Sequence, residues 1–147
     1  MNKIINTIKE IHSKDICMFK TGTFYHVYNK DAYILSYIFN YKIKEIGIEI
    51  KECGFPISAL PKVMAKLENN KINYICIDRR NNYDVDFKED YKNLNCYEKF
   101  YEKSEKHINK KRRIENIQRY LQEKINDKDF LDILDEMEKI IYERRKI

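Results

Sequence analysis

The sequence predicts an α/β (α+β) domain with a small mixed β-sheet flanked by helices, followed by a C-terminal antiparallel helical hairpin. Residues 1 to about 90 combine apolar residues at helical spacing with short runs rich in aromatic and β-branched residues. Residues from about 95 onward show helical spacing alone. We therefore predict an α/β domain at residues 1–90 and a basic helical hairpin at residues 91–147.

The first predicted elements are a helix and a β-hairpin. Isoleucines recur at helical spacing between residues 4 and 11 and predict an amphipathic helix. The apolar run 15–20 and the aromatic run 24–28 flank Thr21-Gly22-Thr23. Two β-rich runs around a glycine-containing turn are typical of paired strands.

A second helix and a third strand follow. Asn29 or Asp31 is expected to cap a helix that carries apolar residues at positions 34–38. Residues 42–50 alternate in part, as a half-exposed strand does. The turn-forming sequence 54–56 is expected to end this strand region.

The last elements of the first part are a helix and an interior strand. Ser58 is a suitable N-cap for a helix that accepts Pro61 in its first turn. Residues 72–77 form the most β-like run and predict a central strand. The predicted order is α-β-β-α-β-α-β, and the polar stretch from residue 81 to about 95 is predicted to be a linker.

Two apolar stripes at helical spacing predict the hairpin, with a turn at Asn126-Asp127. Acidic residues gather at the start of the last helix, which suits the helix dipole: Asp127, Asp129 and Asp132. Basic residues gather at its end: Arg144, Arg145 and Lys146.

Composition and length exclude several classes of protein. The 147 residues carry a net charge of +5, which permits an acidic partner without requiring one. No apolar run is long enough to span a bilayer, and the N-terminus lacks the pattern of a signal peptide. The four cysteines form no zinc-type pair, and Cys17 and Cys76 are expected to be buried. We expect a cytoplasmic protein with reduced cysteines and no membrane association.

The sequence offers no pattern of an enzyme active site. It contains no phosphate-binding loop and no nucleophile motif, and three glycines are too few for a dinucleotide-binding turn. The histidines His12, His26 and His107 stand far apart in the chain. We therefore expect no catalytic residues, no cofactor and no metal.

The strongest local charge lies between residues 106 and 113, where no acid occurs. The cluster, called here the basic segment, contains Lys106, Lys110, Lys111, Arg112 and Arg113. Such a segment binds phosphates or an acidic partner, or is a solvated helix face. If the hairpin turns near residues 126–127, the acids of the last helix lie too far along to neutralise it, which favours the first interpretation.

Four short motifs follow one another in the first half: Gly22-Thr-Phe-Tyr-His-Val-Tyr28 before Asp31-Ala32, Gly54-Phe-Pro-Ile-Ser-Ala59, Met64-Ala-Lys-Leu67 and Tyr74-Ile-Cys-Ile-Asp-Arg79. In this order and spacing they resemble the N-terminal mismatch-recognition domain of the MutS family. The resemblance covers the segments around residues 14–40 and 52–79, and the helical hairpin stands where that family has its connector domain.

The resemblance implies a nucleic-acid-binding site at Phe24 and His26. Phe24 stands where the family has an aromatic wedge that stacks on a mispaired base, a role that suits an apolar ring. The alternative is that Phe24 is a core aromatic of its strand. His26 stands where the family has a glutamate that hydrogen-bonds the base, and an imidazole has a different donor pattern. Tyr25 is expected to pack in the core.

The sequence thus favours a non-enzymatic nucleic-acid-binding protein. DNA is the expected partner, with RNA as the alternative. A second hypothesis is an interaction or accessory protein that docks on a larger nucleic-acid machine, or on a second copy of itself, through residues 95–147. The resemblance implies a reverse transcriptase as one such machine, because stand-alone MutS-like proteins accompany these enzymes in some bacterial systems.

Overall fold

A computed structural model describes residues 2–92 and 94–145. The chain forms two compact units, Met1–Ile108 and Asn109–Ile147. The first unit contains α1 (Lys3–Ile11), β1 (Ile16–Thr21), β2 (Phe24–Tyr28), α2 (Lys30–Phe39), β3 (Lys44–Gly47), β4 (Ile50–Pro56), a 3-10 turn (Ile57–Ala59), α3 (Leu60–Asn69), β5 (Tyr74–Asp78) and β6 (Asp84–Glu89). Helix α4 (Leu94–Glu123) begins in the first unit, and α5 (Phe130–Arg145) lies in the second.

The six strands form one mixed sheet in the order β3-β4-β2-β1-β5-β6. Strands β1 and β5 are parallel, and the other neighbouring pairs are antiparallel. The prediction of a mixed sheet flanked by helices is confirmed. So is the prediction of an interior strand at residues 72–77, because β5 pairs on both edges and four of its five residues are buried.

Alternation along β2 separates the two faces of the sheet. Tyr25 and Val27 join the main core, which includes apolar residues of α2 and α3. A smaller cluster holds Ile5 of α1 against Cys17 and other residues of β1 and β5. Cys17 and Cys76 are 1% and 0% exposed, which confirms that both are buried.

The strand predicted at residues 42–50 is confirmed in part: β3 occupies Lys44–Gly47, but a turn follows it, and the prediction missed β4 as the second strand of a hairpin. β3 ends at Gly47 and β4 begins at Ile50, with Glu49 at a positive φ of 57° in the turn. The sequence 54–56 does not break the chain, because it lies within β4 and pairs with β2. Residues 42–50 alternate in part, which predicts one continuous strand. The turn was not predictable from its residues, because Glu49 adopts the left-handed conformation that glycine or asparagine usually occupies.

The predicted linker at residues 81–95 is also wrong in part, since β6 occupies Asp84–Glu89. This strand lies at the edge of the sheet, and all of its residues are exposed. Main-chain pairing with β5 holds it in place. An edge strand needs no buried side chain, so its composition resembles that of a loop.

The helix starts agree with the predicted caps only in part. Asn29 occupies the N-cap position of α2 without a side-chain capping bond, and its Oδ1 accepts from the Lys51 amide at 3.0 Å. Asp31 is a buried residue of the first turn. Ser58 lies in the 3-10 turn rather than at the cap of α3, whereas Pro61 stands in the first turn as predicted.

The second unit contains the end of α4 and all of α5, which confirms a C-terminal helical pair. Asp132 lies in the first turn of α5, and Arg144 and Arg145 lie in its last turn. Lys146 lies outside the described residues. None of the described residues from 109 to 145 is buried. In the described part of the chain, no helix is long and apolar enough to cross a membrane.

Candidate nucleic-acid interface

Phe24 lies at the rim of the sheet, directly after a two-residue turn. Thr21 and Phe24 are paired across the turn, and Gly22 has the positive φ (64°) that such turns require. The Thr23 carbonyl accepts a 2.9 Å hydrogen bond from the Ile57 amide, which ties the turn to the end of β4. The Phe24 side chain is 45% exposed, so it is not a core aromatic.

Tyr25 points to the opposite face and is 2% exposed, which confirms its predicted place in the core. Its ring stacks on Phe55 of β4 with centroids 5.5 Å apart. Burial raises the pKa of the Tyr25 phenol to about 12. Tyr25 therefore anchors β2 to the core.

The His26 ring stacks beside Phe24, with centroids 6.4 Å apart and an interplanar angle of 28°. Its Nδ1 lies 3.4 Å from Oε1 of Glu52 on β4, is inaccessible to solvent and has no hydrogen-bond partner in the described structure. A Cβ at Gly54 would lie 3.2 Å from this nitrogen and 3.3 Å from the Tyr25 carbonyl oxygen. The glycine therefore leaves the space that the imidazole occupies.

Glu52 lies beside two side chains of β2. Tyr28 is opposite Glu52 in the β2–β4 register, and His26 Nδ1 lies 3.4 Å from Glu52 Oε1. Burial raises the pKa of the Tyr28 phenol, and the Glu52 carboxylate raises it further. The phenol thus remains a donor over a wide pH range.

Phe24 and His26 line a cavity of about 230 Å³. The other lining residues are Tyr41, Lys42, Lys44, Glu52 and Gly54. This composition joins an exposed ring, a hydrogen-bonding imidazole and two lysines, which suits an unstacked base with its phosphates.

Sequence reasoning missed the residues that β3 and β4 bring to the cavity. The β2–β4 register places Glu52 opposite Tyr28 and Gly54 opposite His26. The signal in the sequence is Gly54, whose turn propensity before Phe55-Pro56 predicts the end of a strand although the residue lies inside β4. Recognising the hairpin turn at residues 48–49 would have placed the cavity residues correctly.

The basic segment is exposed along α4. Lys106 belongs to the first unit, and the other four members belong to the second. Within residues 2–92 and 94–145, Lys106, Lys110, Arg112 and Arg113 form no ion pair. These cations are available to an external anion.

The remaining histidines are not part of a metal site: within the described segments, no group of three histidine, cysteine or carboxylate side chains could hold a metal ion. His12 pairs with Asp15 at 3.1 Å, and the His107 ring contacts Tyr37 edge-on at 5.4 Å. These two histidines therefore have local structural contacts away from Phe24.

A protein-family model matches the part of the chain that contains this cavity. The family model of MutS domain I matches residues 1–86, more than half of the chain. The matched segment includes every strand that contributes to the cavity. No curated protein matches the chain significantly. By the extent of the family match and the mixed sheet that carries it, the chain belongs to the MutS domain I family.

Proposed function

We propose that this protein binds nucleic acid without catalysing a reaction, by stacking an unpaired or mispaired base on Phe24. The observation that carries the proposal is the 45% exposure of Phe24 at the start of β2, where it lines a cavity with two lysines. Aromatic rings exposed at such places form stacking platforms for bases. Membership in the MutS domain I family supports DNA as the partner.

Mispaired DNA is the expected source of the base. A mismatched base leaves its stack at a smaller free-energy cost than a paired one. An apolar ring inserted at that step stabilises the kinked duplex. Lys42 and Lys44 line the same cavity and supply positive charge for the neighbouring phosphates.

Fluorescence anisotropy tests this function with duplex DNA, mismatched duplex, single-stranded DNA and structured RNA over a salt series. We expect salt-sensitive binding, tightest to the mismatched duplex. Absence of salt-sensitive binding to all four would contradict the proposal. Tighter binding to RNA would identify the alternative partner.

The variant Phe24→Ala tests the stacking step. Loss of base stacking is expected to weaken binding by about 1–3 kcal/mol. Phe87→Ala is the matched control, because Phe87 of the edge strand β6 is 47% exposed and lies outside the cavity. If the two variants bind with equal affinity, Phe24 is not part of the binding site.

A second candidate function is self-association through the second unit. Its described residues include no buried side chain, while large apolar side chains are about half exposed or more. They are Ile114, Ile117, Tyr120, Ile125, Leu131, Ile140, Ile141 and Tyr142. A helical pair of this kind gains stability when a second copy covers its apolar face.

Charge favours a second copy as the partner. Residues 109–123 carry five bases and two acids, whereas Phe130–Arg145 carries five acids and three bases. The two segments of one copy therefore complement those of another in charge.

Light scattering at tens of micromolar should report a dimer, and the double variant Ile117→Asp with Ile141→Asp should be a monomer. The control is Ile48→Asp in the first unit, where Ile48 is 94% exposed; a wild-type monomer would contradict this function.

A further inference from the structure

The imidazole of His26 has two unlike ring nitrogens. Nδ1 faces β4, where it is shielded from solvent and lies 3.4 Å from the Glu52 carboxylate. Nε2 is the nitrogen left for a ligand in the cavity that His26 lines. Neutral histidine carries its proton on only one of these atoms, and the environment of the other decides which.

We propose that Glu52 positions His26 with its proton on Nδ1, so that Nε2 accepts a hydrogen bond from a base stacked at Phe24. The inference rests on the proposed function, because it assigns a base edge to the same cavity. The ligand class is a base that presents a ring N–H on its Watson–Crick edge, namely thymine, uracil or guanine.

Electrostatics at Nδ1 decides the tautomer. An unprotonated Nδ1 would place its lone pair near the Glu52 carboxylate in a site shielded from solvent, which is repulsive. A protonated Nδ1 places a positive hydrogen near the same carboxylate, which is attractive at 3.4 Å although the geometry makes no hydrogen bond. Gly54 permits this placement, since a Cβ there would lie 3.2 Å from Nδ1.

Glu52 cannot turn away freely. Glu52 lies opposite Tyr28 in the β2–β4 register, and its side chain is only 21% exposed. We assign Glu52 the role of a positioning residue that acts through His26.

Nitrogen NMR of the 147-residue chain labelled at histidine tests the tautomer of His26 without nucleic acid. The chain has three histidines, and a His26→Gln sample assigns the signal. At about pH 8 we expect the Nδ1–H tautomer in the wild type and its loss in Glu52→Gln. Glu49→Gln removes the same charge from the neighbouring turn and should leave the signal unchanged. An Nε2–H tautomer in the wild type overturns the proposal, whether or not nucleic acid binds.

Binding to strands that carry one unpaired thymine or N3-methylthymine tests the acceptor. Methylation removes the ring N–H and should weaken wild-type binding by about 2- to 10-fold at pH 8. The ratio of the affinities for thymine and N3-methylthymine should approach one in Glu52→Gln. Equal wild-type affinities for thymine and N3-methylthymine at pH 8 would overturn the acceptor role of His26. If binding is still weakened by Phe24→Ala in that case, the proposed function stands. Absence of any binding overturns the proposed function instead.

Discussion

The Tyr97 hydroxyl donates a 2.6 Å hydrogen bond to Oδ1 of Asp31, a residue that is 1% exposed. Lys9 donates to the same oxygen at 2.9 Å, and the Cys17 amide donates to Oδ2 at 3.1 Å. Groups from α1, β1 and α4 thus converge on the first turn of α2. A buried carboxylate is tolerated only when its oxygens are satisfied, so the start of α4 belongs structurally to the first unit.

Tyr97→Phe should lower the free energy of unfolding by about 1.5–3 kcal/mol, because it leaves a buried charged acceptor short of one donor. Urea unfolding followed by circular dichroism measures the change. Tyr120→Phe is the control, since Tyr120 is 48% exposed. An unchanged unfolding midpoint for Tyr97→Phe would show that Lys9 and Cys17 suffice for Asp31.

Gly54→Ala should destabilise the protein by about 1–3 kcal/mol, because the new Cβ meets backbone as well as the His26 ring. The Tyr25 carbonyl oxygen would lie 3.3 Å from it and cannot move without disturbing the β2–β4 pairing. At Gly47 the same substitution meets only the flexible Ile50 side chain, at 3.2 Å. Thermal unfolding of both variants tests the contrast, and equal losses would argue against a tight fit at Gly54.

Cys96 should be the first thiol to react with a disulfide reagent in the native protein. Cys17, Cys53 and Cys76 are buried, whereas Cys96 is partly exposed. Burial raises the pKa of the Cys53 and Cys76 thiols to about 12, which suppresses the reactive thiolate. Ellman's reagent at pH 8 should titrate one thiol rapidly and all four in urea. Rapid reaction of two or more native thiols would contradict the burial.

The same thiols should make stability fall in alkaline solution. Their native pKa values lie above the unfolded value of 9.0, so the protonated form is favoured in the folded state. This contribution is complete below about pH 9 and is lost as the pH rises through about 12. Urea unfolding across this range should show a smaller decline in Cys53→Ala and Cys76→Ala. If the unfolding free energy of the wild type increased as the pH is raised beyond 9, the expected direction of the pH dependence would be wrong.

Arg112→Gln with Arg113→Gln should reduce the salt dependence of DNA binding. If both side chains contact phosphates, the slope of log K against log salt should fall by about 0.9 per contact. Lys128→Gln with Lys139→Gln removes two charges from the second unit outside the basic segment and is the control. If the slope of log K against log salt is unchanged in the arginine variant, the basic segment is a solvated helix face that does not contact DNA.

Local sequence patterns determined most of the first unit. The Gly22 turn, the aromatic run of β2 and the apolar run of β5 specify their conformations through propensities and alternation that need no distant partner. The position of Tyr25 in the core follows from the same alternation. These signals suffice because they depend on neighbours within a few residues.

Edges and caps could not be predicted in this way. β6 has no buried side chain, and the turn at Glu49 lacks a glycine, so neither carries a local signal. Asp31 resembles a helix cap in sequence, yet its partners Lys9 and Tyr97 are distant in the chain. Such roles depend on which elements meet.

The sequence by itself determined the mixed α/β fold and the helical pair, and its resemblance to the MutS family implied Phe24 and His26 as candidate site residues. Only the tertiary structure decided that Phe24 is exposed and that His26 has Glu52 as its neighbour. The register between β2 and β4 places these residues together, and a register joins residues that lie far apart in the chain. The sequence specifies which side chains are present. The pairing of β2 with β4 determines that the Glu52 carboxylate lies next to the His26 imidazole.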